Sequence, residues 1–462
     1  FFKQKTAYEI GVRLVGSEMC IRDSEPVTKF NATIDDVNRF PDMLEQAYRE
    51  AVSGCPGPVH LQFQGNEGQV DLGEADLEQR TDMRFTSVPP FRPQGEEGDI
   101  LAALDILQKS KKPVIISGGG VKYSKASAAL TQFAEGLNIP VATSLNGKDT
   151  FLANHPLSAG VVGTYSRGSA NRIVKNADTV CFIGTKTGGM TTHFWNIPEV
   201  GIPAIQIDID PAEIGRNYPL KASVQGDALT VLEKMLTLMD TSTGKNRGTW
   251  VKECNKIVSN WYSDFDTLLK SDNIPIRPER LCSELTNMVP SDSLIVVDTG
   301  HAGMWMGGMF DITSQGQNYI RSAGHLGWAF PAALGAKCAL PHRSIICFTG
   351  DAGFWYHIAE IETAVRWNIN SIIVVNNNSA GNQSKTGFDR AYGGTQTEEA
   401  KKMWNFTKVN FANIANEIGA LGLRVEKPGK FGGALNQALE AKRPVIIDVV
   451  TDVDAIAPAA VS

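Results

Sequence analysis

The sequence predicts an α/β protein with doubly wound parallel sheets. Two observations predict this class: apolar runs typical of buried strands alternate with segments of helical spacing, and this alternation stops at a polar stretch and then starts again. Alternating strands and helices are typical of parallel sheets that carry helices on both faces. At 462 residues, the chain is long enough for two or three domains.

The amino terminus stands apart from the rest of the sequence. Residues 1–24 have no signal-peptide core and no helical or strand period, and they resemble translated sequencing-adapter read-through. We interpret them as non-native, with a disordered natural extension as the alternative, and expect the natural protein to start further upstream. Residues 25–67 contain one predicted helix, over 41–52, and one predicted strand, Val59–Phe63, which are too few for a domain.

Two units with the alternating pattern follow a predicted linker at residues 68–97, which is polar and contains prolines. The first unit covers residues 98–240, and the second covers residues 276–462, with a linker and a bridging helix between them at 241–275. Strands are predicted for the apolar runs at 113–117, 141–144, 179–184 and 204–209 in the first unit, and at 294–298, 345–349, 372–376 and 445–450 in the second.

Composition and charge exclude several classes of function. The chain is 42% apolar and 20% charged, and it has no run of about 18 apolar residues that could span a bilayer. Its formal net charge of −6 comes from interspersed residues, without the basic block that nucleic-acid binding requires. The seven scattered cysteines form no CxxC pair and favour reduced core thiols. We therefore expect a cytoplasmic protein that binds neither membranes nor nucleic acids.

The most informative motif lies in the second unit, where a predicted strand ends in Gly350-Asp351-Ala352-Gly353. A helix is predicted from about Gly353, and the next strand leads into Asn378, 27 residues after Asp351. Both strands of such a βαβ unit point the same way, so Asp351 and Asn378 should meet at the carboxyl edge of the sheet, where open α/β sheets bind ligands. Their oxygens suit Mg²⁺, and the start of the helix suits a phosphate.

From Glu25 to its end, the sequence resembles the thiamine diphosphate-dependent family of acetolactate synthase, pyruvate decarboxylase and benzoylformate decarboxylase. The resemblance implies that Asp351 and Asn378 bind Mg²⁺ through their side chains and that Ala380 binds it through its backbone carbonyl. It also implies that the amides of Ala352 and Gly353 hold the diphosphate. Gly353 stands where family members often have Ser or Thr, so one hydroxyl contact would be absent.

Two further segments resemble loops of this family. Residues 324–335 resemble the loop that holds the pyrimidine, in which the Gly324 carbonyl and the Leu326 amide would contact the ring and the Leu326 side chain would bend the cofactor. Gly300 and His301 belong to a loop that would contact the diphosphate, although Ala302 and Gly303 depart from the polar residues usual in acetolactate synthases. Because imidazole titrates near neutral pH, His301 and His325 are candidates for proton transfer, with structural hydrogen bonding as the alternative.

The resemblance also assigns the domains. Residues 25–67 would be the carboxyl-terminal remnant of a pyrimidine-binding domain, 98–240 the central domain and 276–462 the domain that binds thiamine diphosphate and Mg²⁺. FAD is a candidate cofactor because the central domain of acetolactate synthases holds it, although residues 186–190 replace the usual Arg-Phe-Asp-Asp-Arg. The family's catalytic glutamate lies in the amino-terminal domain of a partner subunit, so no residue here is assigned that role. A homodimer or homotetramer is implied.

The function predicted from these features is that of an acetolactate synthase-like transferase or lyase. It would decarboxylate a 2-oxo acid such as pyruvate and transfer the resulting enamine to a second carbonyl, as in branched-chain amino acid biosynthesis. Residues 379–385 depart from the segment that shapes acceptor choice, which leaves other thiamine diphosphate-dependent decarboxylases, acetyltransferases and acyl-CoA lyases as alternatives. A cofactor-binding fragment without activity is another alternative, and we expect this chain to be inactive alone. The Gly118-Gly119-Gly120 turn lacks the GxGxxG spacing of a Rossmann oxidoreductase.

Overall fold

Three parallel sheets organise the part of the chain that the computed structural model describes, residues 23–63 and 82–457. Two of them have six strands and one has two strands. Helices accompany all three sheets, which confirms the predicted class of a doubly wound α/β protein. Most of the adapter-like segment and residues 64–81 of the predicted remnant and linker lie outside the described residues.

The first sheet is a small βαβ unit. Its elements are β1 (Phe30–Ile34), α1 (Phe40–Val52) and β2 (Val59–Phe63), with short 3-10 helices at Glu25–Val27, Val37–Arg39 and Met83–Thr86. The strands pair in parallel from Phe30 opposite Val59 to Ile34 opposite Phe63. The rings of Phe40 and Phe63 lie 5.0 Å apart, so the start of the helix packs on the end of β2.

The second sheet belongs to the central unit. Its elements, in chain order, are α2 (Glu97–Lys109), β3 (Pro113–Ser117), α3 (Gly119–Tyr123), α4 (Ser127–Leu137), β4 (Val141–Thr143), β5 (Ser158–Val161), α5 (Gly168–Lys175), β6 (Thr179–Ile183), α6 (Gly189–Thr192), β7 (Ala204–Asp208), β8 (Leu220–Gln225) and α7 (Ala228–Leu238), with 3-10 helices at Leu145–Thr150 and Thr241–Arg247. The strand order is β5-β4-β3-β6-β7-β8, so the chain reverses direction across the sheet between β3 and β6. Such a switch point opens a crevice at the carboxyl ends of the strands.

The predicted bridging helix is α8 (Gly248–Leu269), and it packs against both large units. Trp250, near its start, is buried in the core of the central unit and donates its indole N–H to the Pro113 carbonyl at 2.9 Å. Trp261, about three turns later, belongs to the core of the unit that follows. The helix therefore ties the two cores together.

The third sheet forms the carboxyl-terminal unit. Its elements are α9 (Pro278–Met288), β9 (Leu294–Val297), α10 (His301–Gly308), β10 (Asn318–Arg321), α11 (Ala329–Ala339), β11 (Ile345–Gly350), α12 (Asp351–Tyr356), α13 (Glu360–Arg366), β12 (Ile372–Asn377), α14 (Asn382–Ala391), α15 (Glu398–Lys402), α16 (Phe411–Ile418), β13 (Leu421–Val425), α17 (Phe431–Glu440) and β14 (Val445–Val450). The strand order is β10-β9-β11-β12-β14-β13, again all parallel. The prediction of a single helix after Gly353 was wrong, because the structure has two helices there, α12 and α13. His357, at φ −132°, leaves helical geometry and separates them.

Four of the six described cysteines lie in the core, as predicted, whereas Cys55 is half-buried and Cys338 is exposed. Cys181, Cys254, Cys282 and Cys347 are buried and none of the six described cysteines is in a disulfide, whereas Cys20 lies outside the described residues. No helix within the described ranges combines the length and apolar character needed to cross a membrane.

A buried polar network joins the central unit to the carboxyl-terminal unit. The Arg167 guanidinium, 3% exposed, contacts the Asp311 carboxylate at 2.6 Å and donates to the Tyr262 hydroxyl at 2.8 Å and to the Gly308 carbonyl at 2.9 Å. It also lies over the Trp261 ring, 4.4 Å from the ring centre. Burial alone would raise the pKa of Asp311, but Arg167 lowers it overall, so the carboxylate is charged and paired.

Removing the buried cation of this network tests its contribution to stability. We expect Arg167→Ala to lower the free energy of unfolding by about 3–5 kcal/mol, because Asp311 would be left buried without its main partner. Arg172→Ala, at an exposed site on α5, is the control and should change that free energy by less than about 0.5 kcal/mol. Urea unfolding measures both variants, and equal effects of the two substitutions would contradict the role given to Arg167.

Candidate cofactor site

The structure brings Asp351 and Asn378 together at the carboxyl edge of the third sheet. Asp351 directly follows β11 and Asn378 directly follows β12, and these strands are parallel neighbours with Gly350 opposite Asn376. The amide of Ala380 donates to Asp351 Oδ2 at 3.2 Å and to Asn378 Oδ1 at 3.1 Å. The two side-chain oxygens therefore converge on one point, as the 27-residue spacing predicts.

The Asp351 carboxylate is held in a place that suits a cation. It is 2% exposed, and burial raises its pKa to about 7, while hydrogen bonds from the amides of Ala352, Ala380 and Ser379 act in the opposite direction. It forms no ion pair with any described residue, and burying a charge without a partner is costly. The described residues also contain no cluster of three or more His, Cys, Asp or Glu side chains that could hold a metal, so a cation here would need amide and ligand oxygens.

The loop after Asn378 is fixed by a neighbouring segment. Ser379 has φ +56°, and its carbonyl accepts from the Phe406 amide at 2.7 Å. The Gly381 amide donates to the Trp404 carbonyl, also at 2.7 Å. In this arrangement the N–H of Ala380, rather than the predicted carbonyl, points at the two converging oxygens. Metal ligation by the Ala380 carbonyl stays a prediction.

Asp298 is the residue that holds the surrounding loops together. It directly follows β9, is fully buried, and accepts from the Gly327 amide at 3.1 Å and from the Thr349 hydroxyl at 2.8 Å. Burial raises its pKa, while hydrogen bonds from Thr299, Thr349 and Gly327 lower it. Asp298 was predicted only as the last residue of the strand at 294–298, although an acid at the carboxyl end of a predicted strand was an available signal.

Asp298 also explains the glycine at position 353. A Cβ on Gly353 would lie 2.4 Å from Asp298 Oδ2 and 2.9 Å from Thr349 Oγ1, so neither Ser nor Thr would fit without a shift. The neighbouring amide of Ala352 already donates to Asp351 Oδ1 at 2.7 Å. To bind the diphosphate, the Ala352 amide would therefore have to leave Asp351 Oδ1 or donate to both acceptors.

The two predicted glycine loops lie around this edge. Gly300, at φ +66°, precedes α10, and Gly324, at φ +119°, is exposed together with His325. The Leu326 side chain is half-buried in the same loop. The His325 amide donates to Ser322 Oγ at 2.8 Å, which fixes its backbone while its side chain is exposed. The loop containing Gly324 and Leu326 reaches α12 at Gly327, where an added Cβ would lie 2.9 Å from the Gly353 carbonyl.

A cavity of about 260 Å³ lies beside the predicted diphosphate loop, between His301 and α14. His301 Nδ1 and Asn382 Oδ1 are both buried and have no hydrogen-bond partner among the described residues. Burial lowers the pKa of His301, which favours the neutral ring. Lys385 and Asp389, one and two turns along α14, also line this cavity. Asn382 was not predicted as a site residue, because its position depends on the fold of the loop after β12.

A second cavity, of about 580 Å³, lies at the switch point of the central sheet. It is lined by segments that follow the carboxyl ends of the strands, including Gly119 after β3, Thr185 after β6 and Asp208 at the end of β7. A Cβ on Gly118 would lie 2.2 Å from the Gly184 carbonyl oxygen. The triple glycine therefore serves the close packing of two loops, as expected for a tight turn.

The contact between Gly353 and Asp298 can be tested with a double-mutant cycle. We expect Gly353→Ala to destabilise the protein by about 1–3 kcal/mol, because its Cβ overlaps a buried carboxylate. Gly350→Ala is the control, since no atom lies within 4 Å of an added Cβ at that position. In an Asp298→Ala background, Gly353→Ala should lower the free energy of unfolding by less. Urea unfolding of the wild type, the two single variants and the double variant measures this difference. If the effects of the two substitutions on the free energy of unfolding are strictly additive, the contact between Gly353 and Asp298 is contradicted.

Comparison with known proteins agrees with this geometry. Residues 100–235 match the family described as thiamine pyrophosphate enzyme, central domain, and residues 298–449 match thiamine pyrophosphate enzyme, C-terminal TPP binding domain. The chain is 31% identical over 441 residues to the probable acetolactate synthase large subunit of Methanocaldococcus jannaschii and 30% identical over 446 residues to that of Methanococcus aeolicus. Each alignment covers 92% of this chain and 72% of the relative.

A further relative is named for a different activity. The chain is 29% identical over 451 residues to the glyoxylate carboligase of Escherichia coli O157:H7, in an alignment that covers 93% of this chain and 73% of the relative. One family of transferases and lyases accounts for the family matches, the shared length and the parallel-sheet geometry. The chain therefore belongs to the thiamine diphosphate-dependent enzymes that include the acetolactate synthase large subunits.

Proposed function

We propose that this chain carries the cofactor site of a carboligase of the acetolactate synthase type. Such an enzyme removes carbon dioxide from a 2-oxo acid such as pyruvate and joins the remaining carbonyl carbon to a second carbonyl. The observation that carries the proposal is the convergence of Asp351 and Asn378 at the edge of a parallel sheet. The names of the relatives support the reaction type.

The proposed cofactor contacts follow the order of the loops along the sheet edge. Thiamine diphosphate, when bound, supplies the electron sink for this chemistry. Asp351, Asn378 and the Ala380 carbonyl would hold Mg²⁺. The residues that would hold the organic cofactor are Gly300, His301, Ala352 and Gly353 at the diphosphate, and Gly324, His325 and Leu326 at the pyrimidine side. Asp298 positions these loops without touching the ligand, because its oxygens are already bonded to protein groups.

The acceptor is the part of the function that the relatives leave open. The related proteins are named both for acetolactate synthesis and for glyoxylate carboligation, so their names agree on joining two carbonyl compounds. The acceptor-shaping segment at residues 379–385 enters α14 and borders the cavity beside His301. Other decarboxylases, acetyltransferases and acyl-CoA lyases of the family remain the alternative functions. His325, whose side chain is exposed at the sheet edge, remains the candidate for proton transfer.

FAD is proposed as an additional ligand of the central unit. The cavity of about 580 Å³ has the size expected of a pocket for an organic cofactor, and its position at a switch point is where nucleotides bind in α/β sheets. Asp208, at the end of β7, is suited to accept hydrogen bonds from a ribose. Lys186 and the segment up to Met190 line the same space. Absorbance of the purified protein in the flavin region tests this assignment.

The proposed location is the cytoplasm. The proposed assembly is a homodimer or homotetramer, because the family places its catalytic glutamate on a partner subunit. Activity is tested by acetolactate formation from pyruvate with thiamine diphosphate and Mg²⁺. The assay measures this chain alone, and we expect no product, because none of its residues is assigned the role of that glutamate. Product from this chain alone would contradict the assignment of the glutamate to another segment.

Replacement of the proposed metal ligand separates cofactor binding from folding. We expect Asp351→Asn to weaken thiamine diphosphate binding in excess Mg²⁺ by about tenfold or more, because a charged oxygen ligand is lost. Without cofactor the variant should still fold, because the removal of an uncompensated buried charge offsets the hydrogen-bond acceptor that one backbone amide loses. Titration calorimetry measures the affinity, and thermal unfolding measures the stability. The control, Glu362→Gln at an exposed site on α13, should leave both unchanged, and an unaltered affinity in Asp351→Asn would exclude the proposed metal site.

A further inference from the structure

An unpaired arginine lies between the central cavity and the cofactor site. Arg321 is the last residue of β10, which is an edge strand of the third sheet. Its Nε and Nη1 atoms are buried and have no hydrogen-bond partner among the described residues. Burial lowers the pKa of Arg321, and the nearby Tyr319 and Tyr165 act in the opposite direction without reversing that shift. This guanidinium is therefore desolvated and lacks an acidic partner in the described structure.

The two arginines that are fully buried among the described residues, Arg167 and Arg247, are paired. Arg167 has a carboxylate, a hydroxyl and a carbonyl as partners, as described above. Arg247 donates to backbone carbonyls, including those of Leu137 at 2.6 Å and Ser110 at 3.2 Å. A buried charged group is costly unless it is paired and hydrogen-bonded. Arg321 is thus an exception that a ligand would explain.

A second unpaired donor lies on the same face of the strand. Tyr319 is two residues before Arg321, and its buried hydroxyl also lacks a partner among the described residues. Side chains two residues apart in a strand point to the same side. Tyr319 and Arg321 both line the cavity of about 580 Å³. The Tyr319 side chain is fully buried in the core of the carboxyl-terminal unit, so Arg321 is the charged donor that β10 brings to this cavity.

The position of this pair is fixed by the central unit. The Tyr319 amide donates to Asp149 Oδ2 at 3.0 Å, its carbonyl accepts from Lys122 Nζ, and Lys122 pairs with Asp149 at 2.8 Å. The Arg321 guanidinium lies 5.8 Å from the centre of the Tyr165 ring. Its Nη1 is 3.7 Å from the place that a Cβ on Gly303 would take, which sets it beside α10. The guanidinium is therefore held where the cavity approaches the predicted diphosphate loop.

We infer that Arg321 binds the oxyanion of a ligand in this cavity, either the carboxylate of the 2-oxo acid or a phosphate of a cavity-bound cofactor. The inference deepens the proposed function and rests on it for the identity of the acid. Arginine suits both groups, because its planar fork of N–H donors matches two oxygens of a carboxylate or phosphate. Arg321 would select acidic ligands and is a binding residue, with no part in bond making.

The test measures affinity without turnover, in protein supplied with thiamine diphosphate and Mg²⁺ and in protein without them. Oxamate, an amide isostere of pyruvate, probes the carboxylate, and inorganic pyrophosphate probes the phosphate. We expect Arg321→Met to weaken the binding of at least one of these probes by about tenfold or more. Arg172→Met on the exposed side of α5 is the matched control and should bind both probes as the wild type does.

The two sources of the oxyanion give different results. Loss of oxamate affinity alone assigns the site to the substrate acid, and loss of pyrophosphate affinity alone assigns it to a phosphate. Unchanged affinity for both probes in Arg321→Met would overturn the inference. Arg321→Met should unfold at the same temperature as the wild type or higher, because it removes an unpaired charge, and Arg321→Lys keeps the charge as a second variant. Failure of thiamine diphosphate to bind, together with the affinity loss in Arg321→Met, would contradict the proposed function and leave the oxyanion site standing.

Discussion

The parallel register of β9, β11 and β12 is the constraint on which the candidate site depends. Neighbouring strands that point the same way end at one edge, so Asp298, Asp351 and Asn378 meet although they are distant in sequence. Asp298 then binds the loop at Gly327 and the end of β11 at Thr349 through buried hydrogen bonds. These bonds fix the loops before any ligand arrives, which is the preorganisation that a cofactor site requires.

The sequence predicts the inner strands of the two large sheets better than the outer ones. All eight strands predicted in these units are present, and the four that were missed, β5, β8, β10 and β13, are the sheet edges. Inner strands such as β3 and β6 are buried at every residue and therefore appear as apolar runs. Edge strands such as β8 are partly exposed and contain polar residues, as in Leu220–Gln225, so their pattern is weak.

The site was predictable where its residues follow strands at a fixed spacing, as Asp351 and Asn378 do. Contacts between side chains from distant loops were not predictable, because no local pattern records them. The carboxylate of Asp298 against Gly353 is one example, and the unpaired guanidinium of Arg321 at the central cavity is another. The orientation of the Ala380 amide depends in the same way on the segment around Trp404, which no spacing in the sequence indicates.

The account is tested most directly by locating a divalent cation. Mn²⁺ can replace Mg²⁺ in crystals grown with thiamine diphosphate, and its anomalous scattering marks its position. We predict one strong peak within coordination distance of the Asp351 carboxylate and the Asn378 side-chain oxygen, next to the diphosphate. A bound cofactor whose Mn²⁺ peak lies away from both residues, or a cofactor bound without a peak there, would contradict the central claim.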